Sequence, residues 1–213
     1  MKPPPLPKGR VTENHAFQII GLDCAGPLFL RSHSNNSTKT YICLFTCANT
    51  RAIYLELAED LTAEAFINAV KRFISRRGCP EHIISDNAKN FKAGSTEILA
   101  KKKEILETAH SQRFLVSHGI TWEFTAEGAP WWELFYERLI GLTKRCIKKK
   151  LGQASLKTME MITVLKEAEA VLNSRSLTHS LSDINDMPPL TPSHFLCGYR
   201  PLNLPDTQGK QTP

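Results

Sequence analysis

Three acids stand out by where they fall in the chain. Asp23 follows the mostly apolar run Phe17-Gln18-Ile19-Ile20-Gly21-Leu22, and Asp86 follows His82-Ile83-Ile84-Ser85. Each is succeeded by loop chemistry, Cys24-Ala25-Gly26-Pro27 after the first and Asn87-Ala88-Lys89-Asn90 after the second. A carboxylate that ends a buried strand is costly to desolvate without a partner, and ligands of α/β sheets gather at strand ends. Hard Mg²⁺ or Mn²⁺ suits such oxygen donors, because it takes few carboxylates and leaves room for phosphate oxygens. Two strand-end aspartates alone are equally compatible with solubilising or capping residues.

The third acid, Glu137, belongs to a helical stretch beginning near Trp131. At 100° per residue, Gly141, Lys144 and Lys148 share its face, while Phe135, Leu139, Leu142 and Cys146 take the opposite one. Arg145 flanks the polar stripe. A single acid on a basic face suits a metal ligand beside a phosphate track, and a solvated helix face is the plain alternative.

The elements that must hold these acids follow from periodicity. Strands are predicted at 17–23, 40–46 and 52–57, all antiparallel, with Asn49-Thr50 as a turn and Ser32 to Ser37 as a loop. The pattern then turns helical: Thr62 as N-cap, Phe66, Val70, Phe73 and Ile74 as the apolar stripe, Gly78 and Pro80 as the stop. The strand at 82–86 is reached through that helical crossover and is expected to join the sheet in parallel. A basic helical stretch over roughly 95–116, a fifth strand at 120–124 and helices at about 131–151 and 155–173 complete the order. The fold class is α/β, RNase H-like: a mixed five-stranded sheet flanked by helices. Three segments are expected, a proline-rich basic lead-in at 1–14, the core at 15–175 and an extended C-terminal segment at 176–213.

The whole-chain figures agree with this. The 213 residues suit one domain with a modest extension, and 41% hydrophobic with 23% charged residues is ordinary globular composition. Mean hydropathy is −0.26, and no apolar run reaches a membrane span. The start Met1-Lys2-Pro3-Pro4-Pro5 lacks a secretory pattern, so the six cysteines are expected to be reduced core thiols. There is no C-x-x-C pair, and His194-x-x-Cys197 has no companion, so a structural zinc site is not expected. The net charge of +6 and a pI near 9.0 suit a polyanionic partner without requiring one. Five of the basic residues, Lys144, Arg145, Lys148, Lys149 and Lys150, lie close together. Lys101-Lys102-Lys103 is read as a solvated helix face in preference to a phosphate track.

Several separated segments, in order, resemble the integrase catalytic core. They are Gly21-Leu22-Asp23-Cys24-Ala25-Gly26-Pro27, Ile84-Ser85-Asp86-Asn87-Ala88-Lys89-Asn90-Phe91, and Ala129-Pro130-Trp131-Trp132 leading to Phe135-Tyr136-Glu137-Arg138-Leu139. Within that family the chain is most similar to Bel-Pao LTR retrotransposons, whose downstream segments resemble Asn173-Ser174-Arg175-Ser176-Leu177 and Leu190-Thr191-Pro192-Ser193-His194-Phe195-Leu196. The resemblance implies that Asp23, Asp86 and Glu137 form a catalytic triad holding two Mg²⁺ or Mn²⁺ ions. Glu123 lies closer to the usual retroviral spacing after Asp86, but it sits within a strand, whereas Glu137 occupies the helical motif position.

The implied activity is DNA integration by a polynucleotidyl transferase, without a covalent enzyme intermediate. Water attacks near the cDNA end, and the freed 3′-hydroxyl then attacks target DNA. Lys144, Arg145, Lys148, Lys149 and Lys150 would contact phosphates, while Asn87, Lys89 and Asn90 would orient DNA or water beside Asp86. Trp131 and Trp132 are expected to pack the start of the helix. The resemblance also implies element cDNA and target DNA as partners, a homodimer or higher multimer, and a nuclear location. Two departures bear on activity. Glu133-Leu134 stands where family members carry glycines, and the zinc module, protease and reverse transcriptase expected upstream are missing. The chain therefore reads as an excised core, a truncated element or a host-captured gene. A catalytically inactive integrase-derived protein that binds nucleic acid or a partner is the alternative.

Overall fold

The computed structural model describes residues 15–31, 37–85, 101, 103–124, 130–151, 156–178 and 189–201, with side chains of 130–137 outside the described set. The strands are β1 (Ile19–Arg31), β2 (Ser37–Cys47), β3 (Ile53–Ala58), β4 (His82–Ser85) and β5 (Thr121–Phe124). The helices are α1 (Ala63–Arg77), α2 (Ala109–Ser117), α3 (Pro130–Leu151), α4 (Thr158–Asn173) and the short α5 (Pro192–Cys197). The expected basic helical stretch is helical at 103–107 and again in α2, and the lead-in at 1–14 lies outside the described residues.

The five strands form one sheet in the order β3-β2-β1-β4-β5. β1–β2 and β2–β3 are antiparallel, and β4 joins β1 and β5 in parallel, as the crossover argument requires. This is the mixed five-stranded RNase H-like sheet with flanking helices that periodicity implied.

Alternation along the strands divides the apolar residues between two cores. One holds Ile20, Leu22, Cys24, Cys43, Phe45 and Tyr54 under Phe66, Val70 and Phe73 of α1. There Phe45 stacks on Phe73 at 4.5 Å between centroids, and Phe17 meets Phe73 edge-on at 5.4 Å. The other holds Ile42, Leu44, Ile53, Leu55 and Leu57 under Leu139 and Ile147 of α3 and Met161 and Leu165 of α4. The α1 stripe is as expected except that Ile74 is only half-buried. Thr62 caps α1, accepting from the Ala65 N–H at 3.2 Å, and the Gly78 N–H closes the other end on the Ile74 carbonyl.

Three expectations need correction. β1 does not end at Asp23 but runs on to Arg31, with a register shift between Ala25 and Leu28. Pairing with β2 continues through Asp23 to Ala25, and the bulge lets it resume at Leu28, beyond a proline that cannot donate to the ladder. The cysteines are not all core thiols: Cys24, Cys43 and Cys47 are buried, Cys146 is half-buried, and Cys79 and Cys197 are exposed. Finally, the buried centre of α3 is Leu139, Thr143 and Ile147, with Leu142 and Cys146 only half-buried. That face is rotated by about 70° from the expected one. A polar residue, Thr143, lies in its middle because its hydroxyl is satisfied within the helix, donating to the Leu139 carbonyl at 2.8 Å.

Candidate active-site cleft

Asp23 lies within β1, directly opposite Leu44 of β2. Opposed residues of an antiparallel pair point to the same face, and Leu44 belongs to the core under α3 and α4. The half-buried Asp23 side chain is therefore directed toward α3. A cleft of about 370 Å³ opens there, between the β1 segment Asp23–Leu28 and the α3 residues Ile140, Thr143, Lys144, Ile147, Lys148 and Leu151. The acid and two of the expected DNA-contacting lysines thus line one cavity. The rotation of α3 brings this about: with the buried face shifted, the Lys144–Lys148 stripe borders the sheet instead of standing opposite it.

β4 ends at Ser85, which pairs with Leu22, the residue before Asp23. The parallel register therefore sets the last described residue before Asp86 level with Leu22, the residue before Asp23. Asp86, Asn87, Lys89 and Asn90 lie outside the described residues. Ser85 itself is fully buried and accepts a hydrogen bond from the Trp122 indole Nε1–H at 2.6 Å. Position 137 falls in α3, but the Glu137 side chain, like those of Trp131 and Trp132, lies outside the described set. Helical periodicity puts position 137 on the stripe of Lys144 and Lys148, about two and three turns before them. Glu123 is an exposed residue of β5.

Lys144, Arg145, Lys148 and Lys149 are exposed near the end of α3. Lys150 is drawn aside into an ion pair with Glu167 of α4 at 2.5 Å. In the 101–103 stretch, Lys101 pairs with Glu104 at 3.1 Å and Lys103 with Glu107 at 3.9 Å, which agrees with a solvated helix face; Lys102 lies outside the described residues. Among the described residues no cluster of three His, Cys, Asp or Glu side chains could hold a metal. His194 serves as a capping residue, its Nδ1 accepting from the Thr191 backbone N–H at 3.0 Å at the start of α5.

Sequence reasoning missed a polar network on the outer edge of the sheet. The Asn173 amide takes both free backbone groups of Ile53, accepting from its N–H and donating to its C=O, each at 2.8 Å. Glu169 accepts the Leu55 N–H at 3.0 Å, Lys166 donates to the Leu55 C=O at 2.5 Å, and Arg72 donates to the Leu57 C=O at 2.9 Å. Glu56 sits among them, accepting from Tyr54 Oη at 2.6 Å and Arg72 Nε at 2.8 Å. Burial pushes the Glu56 carboxyl up, but these hydrogen bonds and the charges of Lys166 and Arg72 outweigh it and hold the group below its ordinary range. Burial and the Glu56 carboxylate push the Tyr54 phenol well above its own. The segments after α4 belong to the same scaffold: Ser193 donates to the Asn173 carbonyl at 2.9 Å, and the Leu177 N–H to the Leu190 carbonyl at 2.7 Å. The one signal available was the apolar spacing of α4, interrupted at Lys166, Glu169 and Asn173 on an otherwise buried side.

No protein-family model and no curated protein matches this chain. Solved structures do. The chain is similar to one in the simian T-cell lymphotropic virus intasome in complex with PP2A regulatory subunit B56 gamma, with TM-score 0.60 and 16% identity over 98% of this chain. It spans 65% of that protein's length. The HTLV-2 integrase catalytic core domain in complex with magnesium (trimeric form) matches with TM-score 0.55 and 16% identity, over 85% of this chain and 97% of that one. The BIV integrase catalytic core domain matches with TM-score 0.58 and 15% identity, over 85% and 95%. At these identities the likeness is one of fold, and the chain has the RNase H-like fold of retroviral integrase catalytic cores.

Proposed function

We propose that this chain is the catalytic core of a metal-dependent polynucleotidyl transferase acting on DNA, of the kind encoded by Bel-Pao retrotransposons. The observation that carries the reading is the cleft that Asp23 lines together with Lys144 and Lys148, on a fold shared with a magnesium-bearing integrase core. The donor chemistry fits the metal. Asp23 is a half-buried carboxylate at the margin of a cleft, within reach of solvent, and Asp86 and Glu137 would complete an all-oxygen set suited to Mg²⁺ or Mn²⁺. When bound, two such ions supply Lewis-acid activation and neutralise charge on the transferring phosphate.

The protein's own residues do the rest. Asp23 is anchored in the middle of a paired strand, so its position is set by the sheet and not by a loop. Lys144 and Lys148 meet the phosphates flanking the scissile bond, and Arg145 extends the contact along α3. Asn87, Lys89 and Asn90 follow Asp86 closely enough in sequence to orient the DNA strand or the attacking water. In the first reaction water attacks a phosphodiester near the cDNA end and a 3′-hydroxyl leaves. In the second that hydroxyl attacks target DNA, and the target's 3′-oxygen leaves. Both steps need placement more than a nucleophilic side chain. Such a core would act in the nucleus, as a dimer or higher multimer.

The test is Mg²⁺- or Mn²⁺-dependent strand transfer, or its reversal on branched DNA, with wild type and Glu137→Gln. Activity in the wild type alone supports the reading, and equal activity in both removes Glu137 from the site. No activity in either, with DNA binding retained, supports the non-catalytic alternative.

A further inference from the structure

Beyond the bulge, β1 and β2 leave the rest of the sheet together. β4 pairs with β1 only from Ile19 to Leu22, and β3 pairs with β2 only from Tyr41 to Thr46. Leu28 to Arg31 are therefore paired with Ser37 to Thr40 alone, as a two-stranded antiparallel ribbon. One face of the ribbon is fixed to the body of the protein. Leu30 is buried in the core under α3 and α4, and the Arg31 N–H donates to the Leu156 carbonyl at 2.8 Å. The Thr40 hydroxyl ties the two strands, donating to the Leu28 carbonyl at 3.3 Å.

The other face is open to solvent. The neighbours of Leu30 along β1 point away from it, so Phe29 and Arg31 share the outer face. There Lys39 stands opposite Phe29, and Ser37 opposite Arg31. All four residues are exposed, Phe29 to 57%. The charge on this face has one sign. No Asp or Glu occurs between Asp23 and Glu56, and among the described residues neither Arg31 nor Lys39 takes part in an ion pair. An exposed aromatic ring beside two unpaired cations, on a ribbon already held in place, complements a polyanion that also offers apolar edges.

We propose that the outer face of this ribbon is a second DNA-binding surface, which enters the major groove of a duplex lying outside the cleft. A two-stranded ribbon is of the size that groove admits. Phe29 meets base edges, thymine methyl groups above all, while Arg31 and Lys39 reach the phosphates that border the groove. Burying the ring removes apolar surface from water, and the two cations release counterions. Asp23 faces α3, whereas Phe29 and Lys39 stand on the opposite face of β1 and β2. The ribbon and the cleft can therefore hold DNA at the same time. The proposal rests on the DNA-binding reading above and adds to it a surface outside the reacting site.

The test is fluorescence anisotropy of the full chain with a labelled duplex about two helical turns long, titrated with salt. Phe29→Ala is expected to weaken binding about fivefold. Arg31→Gln combined with Lys39→Gln is expected to lower the slope of log affinity against log salt by about 2. Lys101→Gln combined with Lys103→Gln removes the same charge from the solvated helix face and is expected to change little. Ribbon variants that bind no worse than this control would overturn the ribbon while leaving the cleft reading intact. A wild type that binds no duplex would overturn the DNA-binding reading, and the ribbon with it. A loss of single-stranded DNA binding as large as the loss of duplex binding would overturn entry into the groove. All three ribbon side chains are exposed, so urea midpoints should stay at the wild-type value, and the paired cation variant decides the matter even if Phe29→Ala fails to fold.

Discussion

The indole Nε1–H of Trp122 donates to Ser85 Oγ at 2.6 Å, and the Trp122 ring rests against Phe66 with centroids 5.5 Å apart. Trp122 thereby joins β5, β4 and α1 at the last paired residue before Asp86. Trp122→Phe keeps a ring against Phe66 but leaves the buried Ser85 hydroxyl without this donor. The substitution is expected to cost about 1–2 kcal/mol, read as a lower urea midpoint at unchanged slope. A midpoint equal to the wild type would show that the bond contributes nothing.

The amide of Asn173 closes the edge of the sheet by pairing with both Ile53 backbone groups. Replacing it with alanine strands a buried donor and a buried acceptor, at an expected cost of about 2–4 kcal/mol. It also exposes an unpaired strand edge, so Asn173→Ala should aggregate faster on warming than other variants of equal stability. Light scattering during a thermal ramp separates the two effects.

Glu56 and Tyr54 make stability depend on pH at opposite ends. The Glu56 carboxyl is held below its ordinary value of 4.5 when folded. Its contribution is therefore present above that value and lost as pH falls through the lower folded one. The Tyr54 phenol is held above its ordinary value of 10.0, so its contribution is present below that value and lost as pH rises through the higher folded one. Urea midpoints measured across pH should show Glu56→Gln flattening the acid limb and Tyr54→Phe flattening the alkaline limb. Tyrosinate absorbance gives a second check, since Tyr54 should ionise only as the chain unfolds.

Gly26→Ala would push a methyl group toward Tyr41 and the Thr40 carbonyl at a backbone φ of +149°. About 1–3 kcal/mol of destabilisation is expected. Adding Tyr41→Ala should recover only part of it, because the backbone strain and the carbonyl contact remain. Full recovery would assign the whole cost to the Tyr41 ring.

The lysines of α3 should separate in a salt titration of DNA affinity. Removing Lys144 and Lys148 together is expected to lower the slope of log affinity against log salt by about 2. Lys150→Ala should change it less, because that ammonium is already paired with Glu167. Equal effects from all three would point to a diffuse basic surface in place of a track along the cleft.

Much of this was legible in order along the chain. Apolar runs rich in β-branched and aromatic residues marked the strands, the stripe through Phe66, Val70 and Phe73 with Thr62 and Gly78 marked α1, and the crossover made β4 parallel. These are local preferences or chirality rules, so they act before distant contacts form. The acids at 23 and 86 stood out because a carboxylate at a buried strand is conspicuous in one dimension.

What lay beyond the sequence was decided by contacts between distant segments. Nothing local says that β1 continues past Asp23: that depends on pairing with β2 across a bulge for which Gly26 is the residue that fits. The buried face of α3 was misjudged because Thr143 counts as polar in a helical wheel, while in the fold its hydroxyl is already satisfied by Leu139. The roles of Asn173, Glu169 and Lys166 were invisible because their partners are backbone groups of β3, more than a hundred residues earlier. The sequence by itself determined the order and type of the elements and the chemistry available to them. Only the tertiary structure decided that Asp23, Lys144 and Lys148 line one apolar cleft, because that required the bulge of β1 and the rotation of α3 to meet across the sheet.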